Sequence, residues 1–253
     1  MKQNTNLISK TITILRAFTD VKMEWGVNEL SRYVNIPVGS LHRHLSILKE
    51  ENILNVSSAT GKYTIGEEMI RLSSIVSSRV KIKDVAKPFL KNLAKTVDQA
   101  VYLALYHPQY KKLSFVESVQ SSNALQYILD IGVLQPVHIA ASGKAILSHL
   151  SQEERESLIS NLELGNHEIR NLSRELEVIR NEGYAMTANE RKKGALSIGV
   201  PVFDVSHKVI GSIITVIPVN SFEASQKEFI VHHTKKTASE ISYAIGYNEH
   251  IDK

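Results

Sequence analysis

The sequence predicts an α+β protein in two parts: a small winged three-helix unit, then an antiparallel sheet covered by helices, with a connecting helix between them. Three observations carry this. Residues 27–65 read as two short helices around a tight turn, followed by a strand, a loop tip and a strand. Residues 67–97 keep a helical apolar period through two successive segments. From Ala100 onward, short β-branched and aromatic runs alternate with helical stretches. At 253 residues the chain is long enough for two cores, with expected boundaries at 1–66, 67–81 and 82–253.

Taken in order, Ile8, Ile12, Leu15 and Phe18 predict a first helix. Leu30 and Val34 mark a second, Asn35-Ile36-Pro37 breaks it, and Leu41, Leu45 and Leu48 mark a third. The other face of that third helix presents Val38, Gly39, Ser40, His42, Arg43 and Ser46. Small residues let a helix end approach a groove, and an arginine fork can bond two acceptors on a guanine edge or hold a phosphate. Asn52–Val56 and Lys62–Ile65 flank the turn-rich Ser57–Gly61, a wing on which Lys62 and Tyr63 are candidate phosphate contacts. Leucines at this spacing suit any three-helix unit; the wing with a basic tip directly after the third helix points to double-stranded DNA.

Met69, Leu72, Val76 and Val80 predict the connecting helix, and their apolar face outside any evident core predicts self-association. Val85, Phe89, Leu93 and Val97 continue a helical face, with Pro88 either near the start of that helix or kinking it. Val101–Tyr106, Leu113–Ser118 and Leu125–Asp130 read as strands. Ser151-Gln152-Glu153-Glu154 is a capping box opening a helix through Leu158 and Leu162. Leu176 and Ile179 lie on another helix that Gly183 closes. Ile198–Phe203 and Val209–Ile217 are apolar strands, and Ile230, Thr234, Ala238, Ile241 and Ile245 line a final helix.

Composition narrows the function. The formal charge is +4, and residues 1–80 hold 10 Lys+Arg against 7 Asp+Glu, a modest excess on the winged part. The absence of cysteine excludes disulfides, thiolate zinc sites and a cysteine nucleophile, and fits a reducing compartment. Ser9, Lys10, Thr11 and Thr13 interrupt the only apolar stretch near the N-terminus, and Val209–Val219 is too short to span a bilayer, so a soluble cytoplasmic protein without membrane contact is expected. The ten histidines form no HExxH pair, and His42 and His44 point to different sides of a helix. His232 and His233 read as solvated, as does Lys192-Lys193. Gly143-Lys144 lacks the flanking residues of a P-loop, and Ser142 lacks a nucleophile elbow. No metal site and no cofactor are expected. A small-molecule-processing enzyme or sensor whose N-terminal module mediates protein contacts is the alternative to a DNA-binding regulator.

Several segments taken together resemble the IclR family of bacterial transcriptional regulators. They are Leu134-Gln135-Pro136-Val137-His138-Ile139-Ala140-Ala141-Ser142-Gly143-Lys144-Ala145-Ile146-Leu147, then Ile179-Arg180-Asn181-Glu182-Gly183-Tyr184-Ala185, then Glu190 four residues before Gly194, then Ile198 and Pro201-Val202-Phe203-Asp204. The wing ending Gly61-Lys62-Tyr63-Thr64-Ile65-Gly66 fits as well, so the likeness spans nearly the whole chain. It implies a winged helix joined by a linker helix to a GAF-like effector-binding domain, in a homodimer or a dimer of dimers. It also implies a one-component switch, in which a small metabolite bound to the second domain changes promoter binding, to repress or to activate.

Carried over position by position, the resemblance places Ala141 and Ser142 at a ligand-binding helix start, where free N–H groups suit an anionic or carbonyl group. Tight packing of Ser142-Gly143-Lys144 is the other reading. Thr187 stands where relatives that bind small keto acids are often acidic, Ser197 where cysteine is common, and Ile214 and Val216 where serine occurs. Tyr127, Gln135 and Ala195 join the candidate lining. The expected effector therefore has an apolar portion against Ile214 and Val216 and a polar end at Ala141–Ser142, Thr187 and Ser197. Alternatively, the two strand residues belong to the core and the pocket lies elsewhere.

Overall fold

The computed structural model describes residues 7–79, 81–121 and 128–248, without the side chains of 19, 20 and 76–79. The chain divides into two compact units, residues 1–81 with 248–253, and Ile82–Tyr247.

The first unit contains α1 (Leu7–Asp20), β1 (Glu24–Trp25), α2 (Val27–Val34), α3 (Val38–Glu50), β2 (Leu54–Val56), β3 (Tyr63–Ile65) and α4 (Glu67–Arg79). Leu30, Leu41, Leu45 and Leu48 are buried with Ile14, Phe18, Trp25 and Leu54 in one core, as the leucine spacing predicts. The α1 face needs correction: Ile14, Ala17 and Phe18 are buried, whereas Ile8 is 68% and Ile12 45% exposed. Two apolar stripes at helical spacing overlap on this helix, and its partners choose between them. The Trp25 indole donates to the Ala17 carbonyl at 3.0 Å, and Thr11 Oγ1 bonds the buried His44 ring at 3.0 Å. Strand β1, too short to leave a periodic signal, pairs with β3 and makes the wing three-stranded in the order β1-β3-β2. On α4, Met69 is half-buried and Leu72 exposed; the predicted contributions of Val76 and Val80 fall outside the described residues.

The second unit contains α5 (Ile82–Val97), β4 (Ala100–His107), β5 (Lys112–Val119), β6 (Gln135–Pro136), α6 (Ala140–Leu147), α7 (Gln152–Ile159), α8 (Asn166–Glu182), β7 (Ala185–Ala188), β8 (Ala195–Phe203), β9 (Val209–Pro218) and α9 (Lys227–Ala244). Its strands form one sheet in the order β6-β5-β4-β9-β8-β7, with every neighbouring pair antiparallel. Side chains alternate across it. Leu196, Ile198, Ile213 and Ile217 pack with α5 and α9 on one face, while Ala195, Ile214 and Val216 pack with α6 and α8 on the other.

Helix α6 is buried along its whole length. Two glycines make that seat possible: a Cβ on Gly143 would sit 2.3 Å from the Val137 carbonyl oxygen, and one on Gly199 2.4 Å from that of Ala141. The tight-packing reading of Ser142-Gly143-Lys144 is therefore what the backbone does there.

Three further expectations are revised. The strand read at 125–130 is absent from its described part, 128–130, and the edge pairing on β5 comes from Gln135–Pro136 and a single bridge between Ile131 and Phe115. Helix α7 stops at Ile159, short of Leu162, and its capping box is half made. Ser151 Oγ accepts from the Glu154 amide at 3.2 Å, but the Glu154 carboxylate is drawn away to the Tyr106 hydroxyl at 2.7 Å. In α5, Ala86 and Leu90 are buried while Val85 and Phe89 are only half so, and Pro88 lies inside a continuous helix.

Candidate nucleic-acid interface and ligand cavity

In the first unit, Asn35 ends α2 in the left-handed region at φ 53°, and Ser31 Oγ donates to the Ile36 carbonyl at 2.6 Å, fixing the turn into α3. With Leu41, His44, Leu45 and Leu48 buried, Val38, Gly39, Ser40, His42, Arg43 and Ser46 all face solvent. Space around Gly39 is open, with nothing within 4 Å of a built Cβ. The wing tip is closed by the Ser57 amide on the Lys62 carbonyl and the Gly61 amide on the Ser57 carbonyl, each 2.8 Å. Lys62 is exposed there, whereas Tyr63 is half-buried against the core, which divides these two candidates. The outer face of α3 and the wing tip thus offer small residues, the Arg43 guanidinium and the Lys62 ammonium to a partner.

In the second unit, a cavity of about 10 Å³, room for one water, lies between the start of α6, the inner face of β8 and β9, and the β7–β8 loop. Ser142, Thr187, Ala195, Ser197, Ile214 and Val216 line it, six of the nine positions proposed from sequence. Tyr127 lies outside the described residues. Gln135 stands behind the lining and accepts from Arg191 at 3.0 Å. Ala141 is buried and does not line it.

The helix start is not a vacant anion site. Glu190 accepts the Ala140 amide and Thr187 Oγ1 the Ala141 amide, both at 2.9 Å, so side chains of the chain itself take the first two N–H groups. This corrects the expectation that a ligand would be held by the backbone at Ala141.

Sequence reasoning missed the charged part of the lining, namely Glu190, Arg191 and Lys192, and with it Phe115 and Leu129. These three charged residues share one short loop. Asn189, at φ 63°, holds it closed through its own amide on the Ala195 carbonyl (2.8 Å) and its side chain on the Gly194 amide (2.7 Å). Lys192, read as solvated, reaches the Ile128 carbonyl at 3.3 Å. Lys144, 7% exposed, is the ionic centre: its Nζ lies 2.8 Å from Glu175 and 2.7 Å from Glu190, tying α6 to α8 and to the loop. Burial lowers the basicity of Arg191, partly opposed by Glu190, and lowers the pKa of His138 with help from the positive charges of Lys144 and Arg191. Among the described residues, no group of three His, Asp or Glu is placed to hold a metal ion, and no helix is long and apolar enough to cross a membrane.

A winged helix-turn-helix unit followed by a helix-covered antiparallel sheet with an internal cavity defines a DNA-binding transcriptional regulator with a C-terminal effector-type domain. Comparison with known proteins gives the family. The profile described as Bacterial transcriptional regulator IclR C-terminal matches residues 74–243, and the chain belongs to the IclR family. It is 28% identical to the HTH-type transcriptional regulator KipR of Bacillus subtilis, over 98% of this chain and 100% of that one. It is 20% identical to the transcriptional repressor IclR of Escherichia coli, over 94% and 89% of the two chains. Among solved structures, Pseudomonas aeruginosa HmgR superposes with a TM-score of 0.78 at 21% identity, covering 94% of this chain and 97% of that one. A Microbacterium hydrocarbonoxydans IclR homolog complexed with 4-hydroxybenzoate superposes at 0.57 with 21% identity, covering 95% and 99%.

Proposed function

We propose that this chain is a one-component cytoplasmic regulator whose promoter binding is controlled by a small metabolite held in the cavity of the second unit. In this reading residues 1–66 bind operator DNA, 67–81 link, and 82–253 bind the effector. The outer face of α3 enters the major groove, Arg43 reads a base edge or phosphate, and Lys62 holds backbone phosphate. A single winged unit covers one half-site, so the working form is a homodimer, or a dimer of dimers, on a near-palindrome. The chain turns over no substrate.

The observation that carries the reading is the pairing, in one chain, of a helix face whose side chains remain for a partner with a cavity, lined by apolar and charged side chains together, just large enough for one water. Such a cavity must rearrange to admit a metabolite, which links occupancy to conformation. A gel shift on the DNA upstream of the chain's own gene, with and without candidate metabolites, tests it. A retarded band whose affinity changes with one metabolite is expected, and no specific band at low salt would overturn it.

A further inference from the structure

We propose that Arg191 is the counter-ion for the effector, and that the effector is therefore a small monocarboxylic acid with a compact apolar body. This rests on the cavity being the effector site and names what that site selects.

Arg191 is a half-buried cation with no carboxylate bonded to its guanidinium. Its Nη1 donates to Gln135 Oε1 at 3.0 Å and its Nη2 to the carbonyls of Ile139 (2.7 Å) and Pro136 (3.3 Å) and to Ser142 Oγ (3.4 Å), all neutral acceptors. Its Nε is buried with no acceptor at all. The neighbouring carboxylate cannot serve, because Glu190 spends one oxygen on Lys144 and the other on the Ala140 amide. Lys144, on α6, has two carboxylates. The contrast is informative: buried charges are normally paired, and leaving one unpaired is costly.

The rest of the lining describes the body of the ligand. The Arg191 guanidinium carbon lies 5.8 Å from the centre of the Phe115 ring, and Leu129, Ile214 and Val216 complete an apolar wall. A carboxylate bonded to Arg191 thus has hydrocarbon directly beside it, and Lys192, the other cation of the lining, is turned to the Ile128 carbonyl. Ser197 and Thr187 bring hydroxyl groups to the lining, the natural partners of one polar substituent. The carboxylate gives Arg191 the acceptor that Nε lacks and competes for the N–H groups now spent on the Pro136 and Ile139 carbonyls.

The experiment uses the full chain and three acid–amide pairs: benzoate and benzamide, phenylacetate and phenylacetamide, 3-methylbutanoate and 3-methylbutanamide. Binding is measured by calorimetry. At least one acid is expected to bind about 10- to 100-fold more tightly than its amide, the scale of a hydrogen bond to a charged group. Arg191→Gln should erase that preference, and Arg191→Lys should recover part of it, with folding checked by circular dichroism. Val216→Trp, which fills the cavity, separates the two readings. Acid binding lost with Val216→Trp but unchanged in Arg191→Gln leaves the cavity standing and removes Arg191. Acid binding that survives both variants puts the ligand elsewhere and overturns the cavity itself. Amides binding as well as acids, or no acid binding at all, overturns the ligand class.

Discussion

The outer face of α3 and the lining of the cavity are built on opposite rules. On α3, everything that packs is used up on one side, and Gly39, Ser40 and Arg43 stand in solvent. In and just behind the cavity wall the charged groups are engaged: Glu190 twice, Lys144 behind it with two carboxylates, and Arg191 with four acceptors yet one N–H short. A surface that must accept a large rigid partner can wait unpaired in water at little cost. An enclosed site cannot, so it satisfies itself internally and leaves a single deficit to be filled.

That contrast is easiest to break at Lys144. Lys144→Met should destabilise the fold by about 2–3 kcal/mol, somewhat under the full value for a broken buried pair because Glu175 and Glu190 are 40% and 32% exposed. Urea unfolding with an unchanged midpoint would show that the ion cluster stabilises nothing. On the opposite side, Arg43→Ala should leave the melting temperature in place and weaken specific DNA binding by about 1–3 kcal/mol, read by fluorescence anisotropy. Unchanged affinity of a folded variant would remove Arg43 from the interface.

A matched pair of glycines sharpens the comparison. Gly199→Ala forces a methyl to 2.4 Å from the Ala141 carbonyl and should cost about 1–2 kcal/mol. Gly39→Ala meets nothing within 4 Å and should leave stability unchanged or raise it by about 0.5 kcal/mol, while weakening DNA binding if this face enters a groove. Equal melting temperatures for the two variants would contradict the close seat of α6.

The smallest effect is on pH. Burial holds His44, His138 and His149 below the ordinary imidazole value. The unfolded chain then binds protons more readily than the folded one. Stability is complete above about pH 6.5 and declines as pH falls through the window between that value and the lowered folded ones. Thermal melts at pH 7.5 and 5.5 should show a drop that His149→Gln reduces; a variant with the full drop would clear His149.

Legibility in the sequence follows the same division. Leu41, Leu45 and Leu48 declare the buried side of α3, so its outer side follows by subtraction, from residues close together in the chain. The lining at Ser142, Thr187, Ser197, Ile214 and Val216 came from the resemblance, since no local pattern joins positions so far apart. Arg191 was invisible because its place in the lining depends on the Asn189–Gly194 turn, which brings its guanidinium to the Ile139 carbonyl. The α1 face was ambiguous because Ile8 and Ile14 belong to rival stripes, and only Trp25 and His44 decide between them.

The two glycine seats have a mechanical consequence. Helix α6 meets backbone on both flanks, the Val137 carbonyl at Gly143 and the strand at Gly199, with no clearance for even a methyl group. It behaves as a keystone, not a piston: sliding or rolling would drive it into main chain. Any displacement produced by filling the cavity must then travel through the two thinner supports, residues 135–139 and 189–194. The first runs back into β6 and the second into β7, which are the two opposite margins of the sheet. An occupant at the centre would therefore be felt at both edges at once.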